Sequence, residues 1–463
     1  MAPRTLVPDS ALAGLREDLA GEVFVPDDPG YDGARTVFNG MIDRHPAVVA
    51  QCATPEDVSN AVLFGREAGL PIAVRGGGHS VAGTALNDGG LVVDLRRMHA
   101  VVADPEHMTV RVGGGATMSH LDRACQPFHL AVTGGRASTT GVGGFALGGG
   151  SGWLERRFGL ACDSLLSAEL VTAEGRHVHA DAGENPELFW ALHGGGGNFG
   201  VVTSLTLRVH ELPEFCFALL MFTPDAGPGA VRAYRDVFDA PAPDAAGGAV
   251  LCLTAPPEDF VPPELVGTPV YVVLTTYAGP EAELREVMAP LLALGPAATV
   301  VTEIPYADFQ CMLDDPPGQR NYWSAEYLDA FPDEAVDRFC AREEDMPVPT
   351  GTQHLVFPMG GRVAAGPSGY PLPWRTAPWG VHPFGVWEDP ADDERVIRWV
   401  RDVRADMRPW AVGAVYLNFI GAEGADRVEA GLGAENARRL AGVKAVYDPE
   451  NVFRFNHNIA PAA

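Results

Sequence analysis

An α+β fold is what this sequence predicts, and three observations carry the prediction. β-branched runs and amphipathic stretches are mixed along the chain without a strict strand–helix–strand period. Glycine, 54 residues in all, is concentrated at 76–78, 113–115, 134–152 and 194–200, so it marks particular sites rather than a low-complexity background. The texture changes at Pro213, beyond which strands and helices alternate with Pro-rich loops and the glycine clusters stop. A length of 463 residues suits roughly two to three domains. The expected divisions are 1–44, 45–213, 214–410 and 411–463.

Residues 1–44 read as a small helical preface. Thr54-Pro55-Glu56-Asp57 then has the form of a helix start, with Thr54 as N-cap, and Val58, Ala61, Val62 and Gly65 recur at helical spacing. Pro71–Val74, Leu91–Leu95 and Met108–Val112 read as strands, two of them running straight into glycine clusters. Ala168–Thr172 and His177–Ala180 form a hairpin about the turn 173–176; Asn185–His193 is helical and Val201–Val209 a β-branched strand. In the second region Phe217–Phe222, Val250–Thr254 and Pro269–Tyr277 are strands, Glu281–Leu294 and Asp333–Arg342 helices, and Ala240–Gly248 a small-residue surface loop. Near the end come a strand Val412–Phe419 and a helix Glu435–Val446.

Composition excludes several functions. Sixty acidic residues against 33 Lys and Arg give a formal charge of −27, which repels nucleic acid and anionic membrane. No signal-peptide core or membrane-length apolar run appears, and the seven cysteines form no CxxC pair. The expectation is a soluble cytoplasmic globular protein with no metal site. His177 and His179 share a strand face, but no third ligand accompanies them.

Arg75-Gly76-Gly77-Gly78-His79-Ser80 follows a strand, so its free N–H groups, aided by Arg75, suit a diphosphate. Gly195, Gly197 and Gly200 fit GxGxxG, but a helix precedes them and a strand follows, the reverse of a dinucleotide fingerprint. Gly134–Gly152 reads as a loop, too rich in glycine for core, pressed on a flat ligand with Ser138 and Thr139 as hydroxyl donors. Ser151 lacks the second glycine of a nucleophile elbow. In the expected strand 412–419, Tyr416 and Asn418 share a face.

Five stretches in order, RGGGHSVAG (75–83), GVGGFALGGGSGWLERRFGLACDSL (141–165), ELVTAEG (169–175), NPELFWALHGGGGNFGVVT (185–203) and YDPENVFRFNHNI (447–459), resemble one family. It is that of the FAD-linked oxidases of the vanillyl-alcohol-oxidase type, in the berberine-bridge-enzyme-like branch. The resemblance runs from about residue 45 to the C-terminus. It implies a PCMH-type FAD-binding domain of two α+β subdomains at 45–213 and a substrate domain at 214–410. An antiparallel sheet of the latter, flanked by helices, would roof the flavin, and 411–463 would return to the first domain.

The family's motif places His79 as the covalent anchor of the flavin, with Arg75, Gly76, Gly77, Gly78 and Ser80 around it. By the same resemblance Gly135, Ser138, Thr139, Gly141, Val142, Gly143, Gly144, Gly148, Gly149, Gly200, Val202, Asn456 and Asn458 face the cofactor. Relatives often add a cysteinyl link; Ala137 holds that position here and Cys162 lies elsewhere, so a single link is expected. Tyr416 takes the place of the family's base or its helper. The strand that often carries an acid has Gln353, His354 and Leu355 instead, and His193 and His457 replace an Arg and a Gln. Candidate substrate contacts are Gln353, Phe357 and Tyr277, then Tyr271, Thr275 and Tyr322. The implied reaction is oxidation of an alcohol, amine or enol-type carbon with dioxygen reduced to hydrogen peroxide. The alternatives are a monooxygenase, a dehydrogenase or a flavin-binding protein without turnover.

Overall fold

A computed structural model describes residues 7–463. Three sheets organise them. The first has the order Glu22–Phe24, Val48–Gln51, Leu91–Asp94, Ile72–Arg75, and its last three strands are parallel. Helix Pro55–Glu67 makes the crossover between Val48–Gln51 and Ile72–Arg75. It starts where the sequence predicts: the Thr54 hydroxyl accepts from the Asp57 N–H at 3.1 Å, satisfying a donor that the first turn leaves free. Val58, Ala61, Val62 and Gly65 are buried, and a Cβ at Gly65 would meet Ile72 and Leu91 within 3 Å, so glycine sets how closely helix and sheet approach.

The second sheet is antiparallel, in the order Val101–Asp104, Thr109–Gly113, Val201–Arg208, Leu165–Val171, His177–Asp181. The hairpin read from the sequence closes on Val171 opposite His177. The third sheet has eight strands. Its path is Ala298–Glu303, Cys216–Phe222, Pro269–Tyr277, Ala246–Thr254, Gln353–Pro358, Trp379–Trp387, Arg320–Trp323, with Glu326–Leu328 also on Trp379–Trp387. All its pairings are antiparallel. Helices Gly227–Asp239, Glu281–Leu292, Asp333–Ala341 and Asp393–Met407 pack on one face, sharing a core with Tyr271, Val273 and Tyr277. The opposite face carries Met221, Leu251, Val272 and Leu274 toward the glycine-rich segments. No helix among the described residues is long and apolar enough to cross a membrane.

Four local expectations are corrected. The N-terminal segment is not only helical: after helix Asp9–Asp18, Glu22–Phe24 joins the first sheet; residues 1–6 lie outside the described residues. Ala246–Gly248 is strand rather than loop, because Gly248, at φ +127°, lets the chain press on Leu274, where a Cβ would sit 2.0 Å from the carbonyl oxygen. Residues 134–152 are largely buried and contain helix Val142–Leu147, since glycine allows backbones to touch where side chains would normally pack. Val412–Phe419 is not a strand: Gly413 turns at φ +84°, and the run ends in a 3₁₀ turn at Leu417–Phe419 with the Phe419 N–H on the Tyr416 carbonyl.

Candidate active site

A cavity of about 870 Å³ lies between the glycine-rich segments and the open face of the third sheet, within the size range of sites for sizeable organic ligands. Its floor is backbone. After strand Ile72–Arg75 the chain turns through Gly76, Gly77 and Gly78 into His79 and Ser80, all at the cavity wall. None of these five backbone N–H groups donates a hydrogen bond among the described residues. Five consecutive free donors at a cavity wall form a cradle for an anion. Gly77 packs directly on Gly141: a Cβ there would lie 2.4 Å from the Gly141 nitrogen. Gly135, Gly141, Gly143, Gly144, Gly148, Gly200 and Val202 also reach the cavity.

His79 stands at one end. Its ring stacks on Phe38 with centroids 4.0 Å apart and planes 19° apart. Nε2 is 2.7 Å from the Thr139 hydroxyl, while Nδ1 has no partner among the described residues. Burial lowers the imidazole to about 4, so it is neutral near pH 7. Tyr416 also lines the cavity and is fully buried. Its hydroxyl oxygen accepts from the Gly150 N–H at 3.1 Å, the Ser151 N–H at 3.4 Å and the Asn418 amide at 2.9 Å. Burial raises this phenol, and the three donors oppose the rise by favouring the phenolate. Asn456 lines the cavity with its amide N–H on the Phe453 carbonyl at 3.0 Å.

Several expected residues lie elsewhere. The Arg75 guanidinium packs against Gly78 but donates to the carbonyls of Ala34 at 2.7 Å and Thr36 at 2.6 Å, so it fastens the N-terminal segment. Ser138 is bonded through both its N–H and its hydroxyl to Asp314. Val142 and Gly149 sit behind the wall, their N–H groups on the carbonyls of Ala116 and Ala146. Asn458 is exposed and away from the cavity. On the strand Pro269–Tyr277 the odd positions face the helices, so Tyr277 donates to Glu283 at 2.6 Å and Tyr271 to the Cys340 carbonyl at 3.2 Å. Thr275 shares their parity, and Tyr322 packs under Arg401. Gln353 does line the cavity, whereas Phe357 lies beneath the Arg136 guanidinium at 4.8 Å. His193 is structural, stacked on Tyr370 at 4.0 Å. His177 bonds Ser59 and His179 bridges Glu169 and Asp181; no group of three metal-ligating side chains occurs among the described residues.

Sequence reasoning missed Arg136, Trp153, His382 and Gly194–Gly197, all at the cavity. Arg136 pairs with buried Glu155 at 3.4 Å and lies over Trp153 and Phe419. The alternation of His382 and Phe384 in WGVHPFGVW was the available signal for the former.

Comparison with known proteins assigns the class. A family model described as FAD binding domain matches residues 46–181, and one described as Berberine and berberine like matches 415–460. The chain is 31% identical over 457 residues to (R)-6-hydroxynicotine oxidase of Paenarthrobacter nicotinovorans, covering 96% of this chain and 97% of that protein. It is 29% identical over 455 residues to an FAD-linked oxidoreductase of Bacillus subtilis, covering 96% and 97%. Among solved structures, 6-hydroxy-D-nicotine oxidase from Arthrobacter nicotinovorans superposes with a TM-score of 0.82 at 28% identity, covering 96% of this chain and 98% of that one. BBE-like 1 of Physcomitrella patens shares the fold, with a TM-score of 0.86 at 22% identity and coverage of 98% and 99%. The chain is thus an FAD-dependent oxidoreductase. More narrowly, it belongs to the PCMH-type FAD-linked oxidases, in the berberine-bridge-enzyme-like branch.

The residues present fit FAD. The free amides of 76–80 suit its diphosphate in a chain whose net charge of −27 would otherwise repel one. The glycine floor leaves open space at Gly144, Gly196 and Gly197, where an added Cβ would meet nothing within 4 Å.

Proposed function

We propose that this chain is an oxidase that holds FAD through one covalent bond at His79 and takes two electrons from an alcohol, amine or enol-type carbon of an apolar, secondary-metabolite-like molecule. Dioxygen is the acceptor and hydrogen peroxide the product. The observation that carries the reading is His79 itself: a neutral ring, fixed by Phe38, with Nε2 tied to Thr139 and Nδ1 free at the cavity. With the Thr139 hydroxyl accepting from Nε2–H, the lone pair resides on Nδ1, the nucleophilic position. Ala137 offers only a methyl group where a second link would need a thiol.

Bound FAD supplies the two-electron oxidant. The chain supplies the proton acceptor: Tyr416 Oη, in the phenolate form that its three donors favour, takes the O–H or N–H proton of the substrate. The sheet face above is aliphatic, which favours an apolar body over a sugar, whose hydroxyls need partners. A relative that is itself named an oxidase supports dioxygen as acceptor. We place the protein in the cytoplasm on its seven cysteines, all free thiols.

The test is a visible spectrum of the purified protein followed by acid precipitation. Yellow colour that stays with the pellet, and leaves it in His79→Ala, supports the link; a peroxide-coupled screen of alcohols and amines then tests the reaction. A protein that takes up no FAD refutes the proposal.

A further inference from the structure

On the strand that often carries an acid in relatives, the cavity-facing side chains here include Gln353 and Leu355 and no carboxylate. The neighbouring strand Trp379–Trp387 contributes His382. This ring is only 5% exposed and is clamped, stacking on Phe419 at 4.2 Å with planes 9° apart and standing edge-on to Trp323 at 6.1 Å. Nδ1 is 2.7 Å from the Ser324 carbonyl oxygen. A carbonyl only accepts, so Nδ1 carries the proton and Nε2 of the neutral ring carries the lone pair. Nε2 has no partner among the described residues and His382 lines the cavity, so that lone pair opens on the cavity. Burial, with the Arg136 guanidinium, holds the imidazole down at about 3, and the acceptor therefore persists throughout the neutral range. Its cross-strand neighbour Leu355 offers no hydrogen bond, and Leu251, Val272, Leu274, Leu219 and Met221 continue the aliphatic lining across the strands beyond.

We propose that His382 Nε2 is a specificity-determining subsite that accepts a hydrogen bond from a hydroxyl or N–H group of the substrate. The substrate then has an apolar body and a polar donor at the end docked against Phe419. A buried acceptor left unpaired is costly, so the site rejects an analogue that keeps the shape but lacks the donor. This rests on the FAD-loaded site proposed above.

The experiment uses holoprotein and two probes with nearly the same body, 2-naphthol and 2-methoxynaphthalene, of which only the first can donate. Binding is read by calorimetry and by perturbation of the flavin absorption band. Wild-type protein binds 2-naphthol about tenfold more tightly or better. His382→Leu brings the ratio close to one, and His382→Gln recovers part of it through its amide oxygen. Equal affinities in the wild type, or discrimination retained in His382→Leu, each overturns the assignment. Absence of the flavin band refutes the FAD proposal, whereas a normal band without discrimination refutes only the subsite.

Discussion

Lys444 offers a sharp test of what holds the C-terminal run against the cavity. Its ammonium is fully buried and donates to the Asn198 carbonyl at 2.6 Å, Asp448 Oδ2 at 2.6 Å and the Phe453 carbonyl at 3.0 Å. All three protons are used. Asp448, equally buried, also accepts from the N–H groups of Val452 at 2.8 Å and Phe453 at 2.9 Å. Asn198 in turn bonds the Ile459 N–H and the His457 carbonyl, so one lysine ties helix Ala434–Tyr447 to both the 194–200 loop and residues 451–459. Lys444→Met keeps most of the volume but strands the Asp448 charge and leaves the Asn198 carbonyl without a donor. Stranding one partner of a buried pair costs about 3–5 kcal/mol, a large fraction of a typical native stability of about 5–15 kcal/mol. Urea unfolding followed by tryptophan fluorescence and by the flavin band measures it. The double variant Lys444→Met, Asp448→Asn removes the stranded charge and loses less than the two single costs summed. A single variant within about 1 kcal/mol of wild type, or a double variant equal to the sum, refutes this account of the lysine.

Three further outcomes follow from the geometry. Gly77→Ala drives a Cβ to 2.4 Å from the Gly141 nitrogen and 2.6 Å from its Cα; both are backbone, so the cradle must open, and the ratio of flavin to protein absorbance falls. Thr139→Val removes the bond to His79 Nε2, and intact-mass analysis then shows a smaller covalently flavinylated fraction while non-covalent FAD still binds. Asp122 is buried beside Gln310, and burial lifts its carboxyl from 3.8 to about 8 against the opposing Gln310 amide. A folded value above the unfolded one means that the native state holds the extra proton, so this contribution is complete below about pH 4 and is lost as pH rises towards 8. Thermal melts across that range show Asp122→Asn gaining on wild type as pH increases; parallel curves would count against it.

Much of the fold is legible in the sequence because it is local. The N-cap at Thr54, the hairpin about 173–176 and the strand Pro269–Tyr277 all follow from spacing and turn chemistry. What local pattern does not carry is which face of a strand meets the cavity. Alternation groups Tyr271, Thr275 and Tyr277 together, but four helices cover their side, and the aliphatic even positions face the ligand space instead. Arg75 next to a glycine nest suggests an anion contact, yet the carbonyls of Ala34 and Thr36, about forty residues earlier, claim it. The run 412–419 has strand composition, but the buried Tyr416 hydroxyl meets Gly150 and Ser151 from a distant segment, and that long-range contact overrides propensity. Arg136 and His382 are likewise brought to the cavity only by the assembled sheets.

The direct seating of Gly77 on Gly141 has a consequence for how such an enzyme diversifies. A floor made of main chain has no side chains to exchange, and almost any residue added there would pry two segments apart. The roof is the reverse: each cavity-facing position on the third sheet is a separate side chain on a rigid ladder. Cofactor retention and substrate choice are therefore written in different materials, backbone below and side chains above. New substrates can be explored by changing the strand residues overhead while the floor stays as it is.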